Sequence, residues 1–449
     1  MKKPELLAPA GDFEKLQMAI AYGADAVYVG GKQFSLRANA KNFDTDELAK
    51  AISYAHGHNV KVYVSVNIFA HNDDFIGLRE YLVNLKDMGA DAIIVADLGV
   101  FNIARSIPGL EVHISTQANT TNYGSAGLYK ELGASRAILA RELSFKEIRV
   151  INDRLASLSG IETNPSQHTS GTSTNTSPIH RAFETEVFVH GAMCMSYSGR
   201  CLLSNYMAGR DANKGDCAQP CRWKYTLFEG ASREKCRHAE ESCHRQLNLV
   251  EELRPTEYMP IYEDERGTYI MNSKDLCMVE YIPELVASGV SSFKIEGRMK
   301  TAYYVAAVTR IYREALDDFF VSESLYISKK DYYMQELYKT SHREFFTGFY
   351  LDKAQNGQNL SNDIRNNAQD FLGVVVDYDA GKRLALVEQR NKFSVGDMVE
   401  FLKGRFTQTV DRLFDKNGKP IDSAPHPQEL VYMRTQQPVV KFDILRKAD

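Results

Sequence analysis

Short apolar runs alternate with amphipathic stretches over the first third of the chain. The runs are ELLAPAG (5–11), DAVYVGG (25–31), VKVYVSVN (60–67), DAIIVADLG (91–99), EVHISTQAN (111–119) and RAILARELS (136–144). Each is nearly continuous in apolar residues and turns polar at its C-terminal end, as parallel strands covered on both faces require. Between them, DFEKLQMAIAYG, TDELAKAISYAHGHN, DFIGLREYLVNLKDMG and NYGSAGLYKELG carry the helical period. EVFVHG (186–191) and SSFKIEG (291–297) supply two more runs of the same kind, making eight. Eight βα units predict a (β/α)8 TIM-like barrel, with a doubly wound open sheet as the alternative.

The rhythm breaks in two places. Residues 156–184 include GIETNPSQHTSGTSTNTSP, which is rich in Ser, Thr, Asn and Gly and reads as a surface insertion. A second insertion, 229–256, is strongly charged. From 301, TAYYVAAVTRIYREALDDFF puts Tyr304, Val308, Ile311 and Ala315 on one helical face, a helix suited to closing the barrel at about 325. Residues 326–366 read as a linker with short helices. After 367 the texture changes to FLGVVVDY, RLALVEQR and DMVEFL with turns at DAGK and KNGK, predicting a small all-β domain over 367–449.

Cysteine changes the picture most. Only seven occur in 449 residues, and four of them, Cys194, Cys201, Cys217 and Cys221, fall in one segment as C-x6-C-x15-C-x3-C. The segment starts just after the seventh apolar run, at the end of a barrel strand. Four thiolates gathered there would bind a soft metal centre, an iron–sulfur cluster or zinc. Structural zinc sites use paired C-x(2–4)-C knuckles, and only Cys217 and Cys221 resemble one. The spacing thus favours iron–sulfur, with Cys277 as a possible replacement for one ligand.

Net charge is -4, which argues against a generally basic nucleic-acid binder but not against a local basic patch. Such a patch exists around the cysteines: Arg200, Arg210, Lys214, Arg222 and Lys224, with Lys294, Arg298 and Lys300 brought near by a barrel. It suits an anionic substrate, whether a carboxylate metabolite or RNA phosphates. The N-terminus reaches acidic residues before any apolar core, and no run approaches 18 apolar residues. The expectation is a cytoplasmic protein without a membrane span.

In an α/β barrel the site lies at the C-terminal ends of the strands. The polar residues there are Asn67, His71, Asp97, Gln117, Asn119, Arg141, Glu142, His190, Lys294, Glu296 and Arg298. His190 and Glu296 are the candidates for proton transfer; Arg200, Arg222, Lys294 and Arg298 are the candidates for holding an anionic substrate. The chain has no H-E-x-x-H and no G-x-S-x-G, so proteolysis would need a nucleophile such as Cys194 paired with His190.

Several runs, EVFVHGAMCMSYSGRCLLS (186–204), PELLAPAGDFEKL, YGADAVYVGG, STQANTTN, EDERGTYIMNSKDL and SFKIEGRMK, resemble the signature of the collagenase-like peptidase family U32. The resemblance covers residues 4–150 and 186–320, and the C-terminal segment is similar to the family's accessory domain. It implies a 4Fe-4S cluster on Cys194, Cys201, Cys217 and Cys221. Within the family the chain is similar to the branch that makes 5-hydroxyuridine at the wobble position of tRNA, with prephenate as co-substrate. Sister activities implied by the same family are hydroxylation of 23S rRNA or of a quinone precursor, and peptidase activity by name. The 156–184 and 231–245 segments depart from the family pattern.

Overall fold

A computed structural model describes residues 2–35, 41–68, 70–159, 183–193, 247–251, 254–264, 267–269, 274–351 and 370–448. The cysteine segment with Cys194, Cys201, Cys217 and Cys221, together with Arg200 and Arg222, lies outside them. So do residues 160–182.

All eight predicted barrel strands form. They are β1 (Glu5–Pro9), β2 (Ala26–Gly30), β3 (Lys61–Val66), β4 (Ala92–Val95), β5 (Val112–Ile114), β6 (Arg136–Ile138), β7 (Glu184–Ala192) and, after four intervening strands, β12 (Ser292–Ile295). Each pairs in parallel with its neighbour, and β12 pairs with both β7 and β1, so the sheet closes. This is a TIM-like barrel. Its helices are α1 (Phe13–Ala21), α2 (Thr45–His56), α3 (Leu78–Asp87), α4 (Leu98–Arg105), α5 (Tyr123–Glu131), α6 (Phe145–Ser159), α7 (Ile282–Ala287) and α8 (Ala302–Val321). Local chemistry starts them where the sequence turns polar. Asp44 and Glu47 form a reciprocal capping box on α2, and Asp97, Asn122 and Thr301 cap α4, α5 and α8. Asp97, a strand-end candidate, is therefore used as a helix cap.

Between β7 and β12 the chain makes an excursion containing an antiparallel sheet of β8 (Leu247–Glu251), β9 (Arg254–Asp264) and β10 (Gly267–Tyr269). It returns through β11 (Asp275–Cys277), which pairs antiparallel with the end of β7, Asp275 facing Ala192 and Cys277 facing His190. Residues beyond 322 stay with the barrel. Helices α9 (Glu323–Ser328) and α10 (Lys330–Tyr338) and strand β13 (Phe345–Phe346) follow, with Tyr326, Tyr333, Leu337 and Tyr350 buried in the barrel core. Large apolar side chains anchor this stretch.

The C-terminal unit is an eight-stranded antiparallel sheet running in the order β18, β17, β23, β14, β15, β22, β19, β20, with a two-stranded pair β16–β21. The strands are β14 (Phe371–Asp379), β15 (Leu384–Gln389), β16 (Phe393–Ser394), β17 (Met398–Phe401), β18 (Phe406–Thr409), β19 (Leu413–Phe414), β20 (Pro420–Ile421), β21 (Ser423–Ala424), β22 (Leu430–Arg434) and β23 (Ile444–Lys447). Alternate residues of β15 and β22 are buried, as a sheet with one covered face demands. The unit docks on α1 and α8, where Met18, Tyr22, Tyr303 and Ala306 meet Val374, Leu402 and Ile444.

Candidate active site at the barrel mouth

The strands' C-terminal ends surround a cavity whose described walls include Tyr28, Asn67, Gln117, Lys294, Glu296 and Arg298. Five of these are the strand-end polar residues expected from sequence: Asn67, Gln117, Lys294, Glu296 and Arg298, with Lys294 two residues deeper in its strand than Glu296. Among the others, His71 is exposed on the rim and Asn119 terminates a short 3-10 turn in a left-handed conformation. Arg141 reaches across to the end of β7, donating to the Ala192 carbonyl at 3.1 Å with its guanidinium 5.3 Å from the Phe188 ring centre. That carbonyl lies two residues before Cys194.

Lys294 is buried and held from below. Its Nζ is 3.1 Å from Oε1 of Glu186, 4.4 Å from the Tyr28 ring centre and 5.6 Å from that of Phe188. Oε2 of the fully buried Glu186 accepts from Arg136 Nη1 at 3.0 Å, and the same nitrogen reaches Glu5 at 2.7 Å. Arg136 also engages Glu184, and Glu5 accepts from the Tyr63 hydroxyl at 2.8 Å. A charged column thus runs from the barrel floor to the mouth. Burial alone would push the Glu5 carboxyl up, but Arg136 and Lys61 hold it below its ordinary value. Buried charges persist only when paired this way. Sequence reasoning missed Glu5, Arg136, Glu184 and Glu186. The legible signal was the E-x-E at the start of an otherwise apolar strand, whose period of two sends both carboxylates to one face.

Arg298 is clamped rather than mobile. Its Nη1 donates to Ser35 Oγ at 3.0 Å and its Nη2 to Asn42 Oδ1 at 3.1 Å. It lies against Gly30, where a Cβ would stand 2.5 Å from Nη1. Glycine is required there for close approach, not for backbone freedom. Glu296 faces the cavity, with the Tyr28 hydroxyl 3.4 Å from Oε2.

His190 is placed differently. Strict alternation along β7 would turn it inward with Glu186 and Phe188. The register against β12 shifts instead, Lys294 facing Phe188 and Ile295 facing His190. A bulge of this kind re-aims the side chain beyond it. The imidazole sits among Tyr304, Tyr312 and Phe345, 1% exposed, with Nδ1 3.3 Å from the Tyr312 hydroxyl. That hydroxyl donates to Val189 O at 2.7 Å and accepts from Met278 N at 3.0 Å. Burial, with Lys300 and His342 adding to it, pushes the His190 pKa down to about 3. Cys277, its strand partner, is also buried, and burial raises its thiol to about 12.

The donor set for a cluster, four thiolates beginning two residues beyond the Ala192 clasp, is chemically suited to iron–sulfur. Among the described residues no group of His, Cys, Asp and Glu is arranged to hold a metal ion.

The chain is 36% identical to tRNA hydroxylation protein P1 of Bacillus subtilis over 99% of this chain and 95% of that protein. It is 36% identical to tRNA hydroxylation protein P of Escherichia coli, over 97% and 95%. It is 33% identical to the 23S rRNA 5-hydroxycytidine C2501 synthase of Escherichia coli, over 70% of this chain and 39% of that one. Residues 11–360 match the sequence profile of peptidase family U32, and residues 367–446 that of the peptidase family U32 C-terminal domain. The chain, barrel and C-terminal sheet together, belongs to peptidase family U32.

Proposed function

We propose that the protein is a cytoplasmic RNA hydroxylase that converts the wobble uridine of tRNA to 5-hydroxyuridine, with prephenate as co-substrate. The observation that carries this reading is similarity along nearly the whole chain to two proteins named for tRNA hydroxylation. The rRNA synthase matches only 39% of its own length, which favours tRNA over 23S rRNA as the substrate. A quinone precursor fits less well a mouth lined with Lys294, Arg298, Glu296 and Asn67.

In this reading Cys194, Cys201, Cys217 and Cys221 hold a 4Fe-4S cluster beside the mouth. When bound, the cluster supplies one-electron chemistry. The chain's own residues bind and orient. Lys294 and Arg298 present fixed cations to carboxylates or phosphates, and Arg200 and Arg222 add charge from the cysteine segment. Glu296 is the group at the mouth able to carry a proton. His190 braces the end of β7, from which the cysteine segment departs. Replacing C5–H by C5–OH is a two-electron oxidation, so an oxygen donor and an electron acceptor take part besides the base.

The peptidase reading is disfavoured by electrostatics. A thiol nucleophile needs a lowered pKa and an accessible base. His190, the base that Cys194 would need, is sealed from solvent, and burial pushes its pKa down to about 3, so it makes a poor partner for a thiol.

The test is nucleoside mass spectrometry of tRNA from a deletion strain. Loss of 5-hydroxyuridine derivatives, restored by wild type but not by Cys194→Ala, supports the reading. The variant should fold, by circular dichroism, yet lack iron. Unchanged 5-hydroxyuridine in a strain without a second copy or an oxygen-dependent route would sink it.

A further inference from the structure

We propose that the groove between the loops after β5 and β6 is a subsite for an unpaired nucleobase, adjoining the mouth that takes the modified base. The inference rests on the RNA reading above. The groove is a cavity of about 660 Å³ lined by Asn122 and Tyr123 on one wall, Ser144, Lys146 and Val150 on the other, and Phe349. Small-molecule sites run from about 300 to 1,000 Å³, so it can seat a nucleotide.

Three observations choose the occupant. The first is position. Ser115 and Gln117 line the mouth while Asn122 and Tyr123, a few residues on in the same loop, line the groove. The two loops are tied together by Thr116 Oγ1 to Leu139 O at 3.1 Å and by Ala140 N to Thr120 O at 3.0 Å. A ligand continuous with the one in the mouth therefore meets a rigid wall. The second is the aromatic surface. Tyr123 opens α5 with 46% of its surface exposed, and the Arg154 guanidinium lies 5.8 Å from its ring centre. An exposed ring backed by a cation is a stacking platform for unpaired bases. The third is charge. Lys146 shares the lining with Glu142 and Glu147, so the lining carries more negative than positive charge and does not suit a phosphate. It suits a neutral base edge, offered the Asn122 side-chain NH2, whose oxygen caps α5, and the Ser144 oxygen as an acceptor, its proton being given to Glu147.

The experiment measures binding of the full-length, cluster-loaded protein to an anticodon stem-loop RNA and to a series in which each loop nucleotide in turn is abasic. Tyr123→Ala should weaken binding of the intact RNA by roughly 5- to 100-fold, the range of one lost stacked base. The same substitution should have no effect on the RNA abasic at one particular position, and Tyr123→Phe should bind like wild type. Val150→Arg, which fills the groove from α6, should reproduce the loss. Wild-type affinity in both Tyr123→Ala and Val150→Arg overturns the subsite while leaving RNA hydroxylation standing. An equal loss across every abasic RNA assigns Tyr123 a structural role and also overturns it. Absence of saturable RNA binding by the wild-type protein removes both readings.

Discussion

Arg298 shows how one side chain is prepared for a task. Two acceptors, Ser35 and Asn42, fix its fork, and Gly30 leaves the room. Arg298→Lys keeps the charge but cannot span both acceptors. We expect its 5-hydroxyuridine yield per enzyme to fall about tenfold or more, since a hydrogen bond to a charged group contributes roughly 1.5–3 kcal/mol. Gly30→Ala should do the same and lower the melting temperature as well, because the added methyl meets the Ser35 hydroxyl and the clamped Arg298 guanidinium. Arg136→Met has a different profile. It leaves Glu186 to Lys294 and Glu5 to Lys61 and Tyr63, and removing one partner of a buried ionic group costs up to about 3–5 kcal/mol. Thermal unfolding should show a large loss of stability. Lys294, Arg298 and Glu296 were legible as polar residues ending apolar runs. The column beneath Lys294 was not, because charges inside a strand resemble solvent-facing positions until the barrel closes around them.

At the level of elements, the decisive feature is the bulge in β7. Apolar periodicity gave all eight strands but carries no signal for an extra residue in one of them. His190 therefore read as a mouth residue when the structure seats it behind the wall. Its buried imidazole makes a testable pH effect. An unfolded histidine binds a proton below about 6.5, while the folded one resists down to about 3. The unfolded state thus holds more protons in that window, and stability falls as pH drops from about 6.5 toward 3. His190→Phe should flatten this part of the stability curve in urea titrations. An unchanged slope would falsify the burial argument. Gly191, next along, has φ +109° and would bring a Cβ within 2.6 Å of the Glu296 carbonyl, so the bulge admits no side chain there.

Across the whole molecule, the barrel and the C-terminal sheet are joined through a buried ionic knot. Arg446 bridges Glu336 and Glu400, and Arg310 meets the same Glu336 and the Leu402 carbonyl. Burial would raise the Glu336 carboxyl, but Arg446, Lys339 and Arg310 hold it below its ordinary value. Its contribution is present above the unfolded carboxylate pKa and disappears in acid. Glu336→Gln should loosen the junction at neutral pH, read as a second calorimetric transition that wild type shows only in acid. The change of texture near 367 made the C-terminal sheet legible. The knot was not, because its members are far apart in the chain.

The antiparallel clasp of Ala192 to Asp275 has a consequence for how such a chain can change over time. Both ends of an 81-residue stretch, 194–274, are pinned side by side on the rim, so lengthening it adds little closure entropy and leaves the strands untouched. The barrel is in effect a socket and the stretch a cassette. Evolution, or an experimenter, can exchange the cassette for another of different length without refashioning the socket.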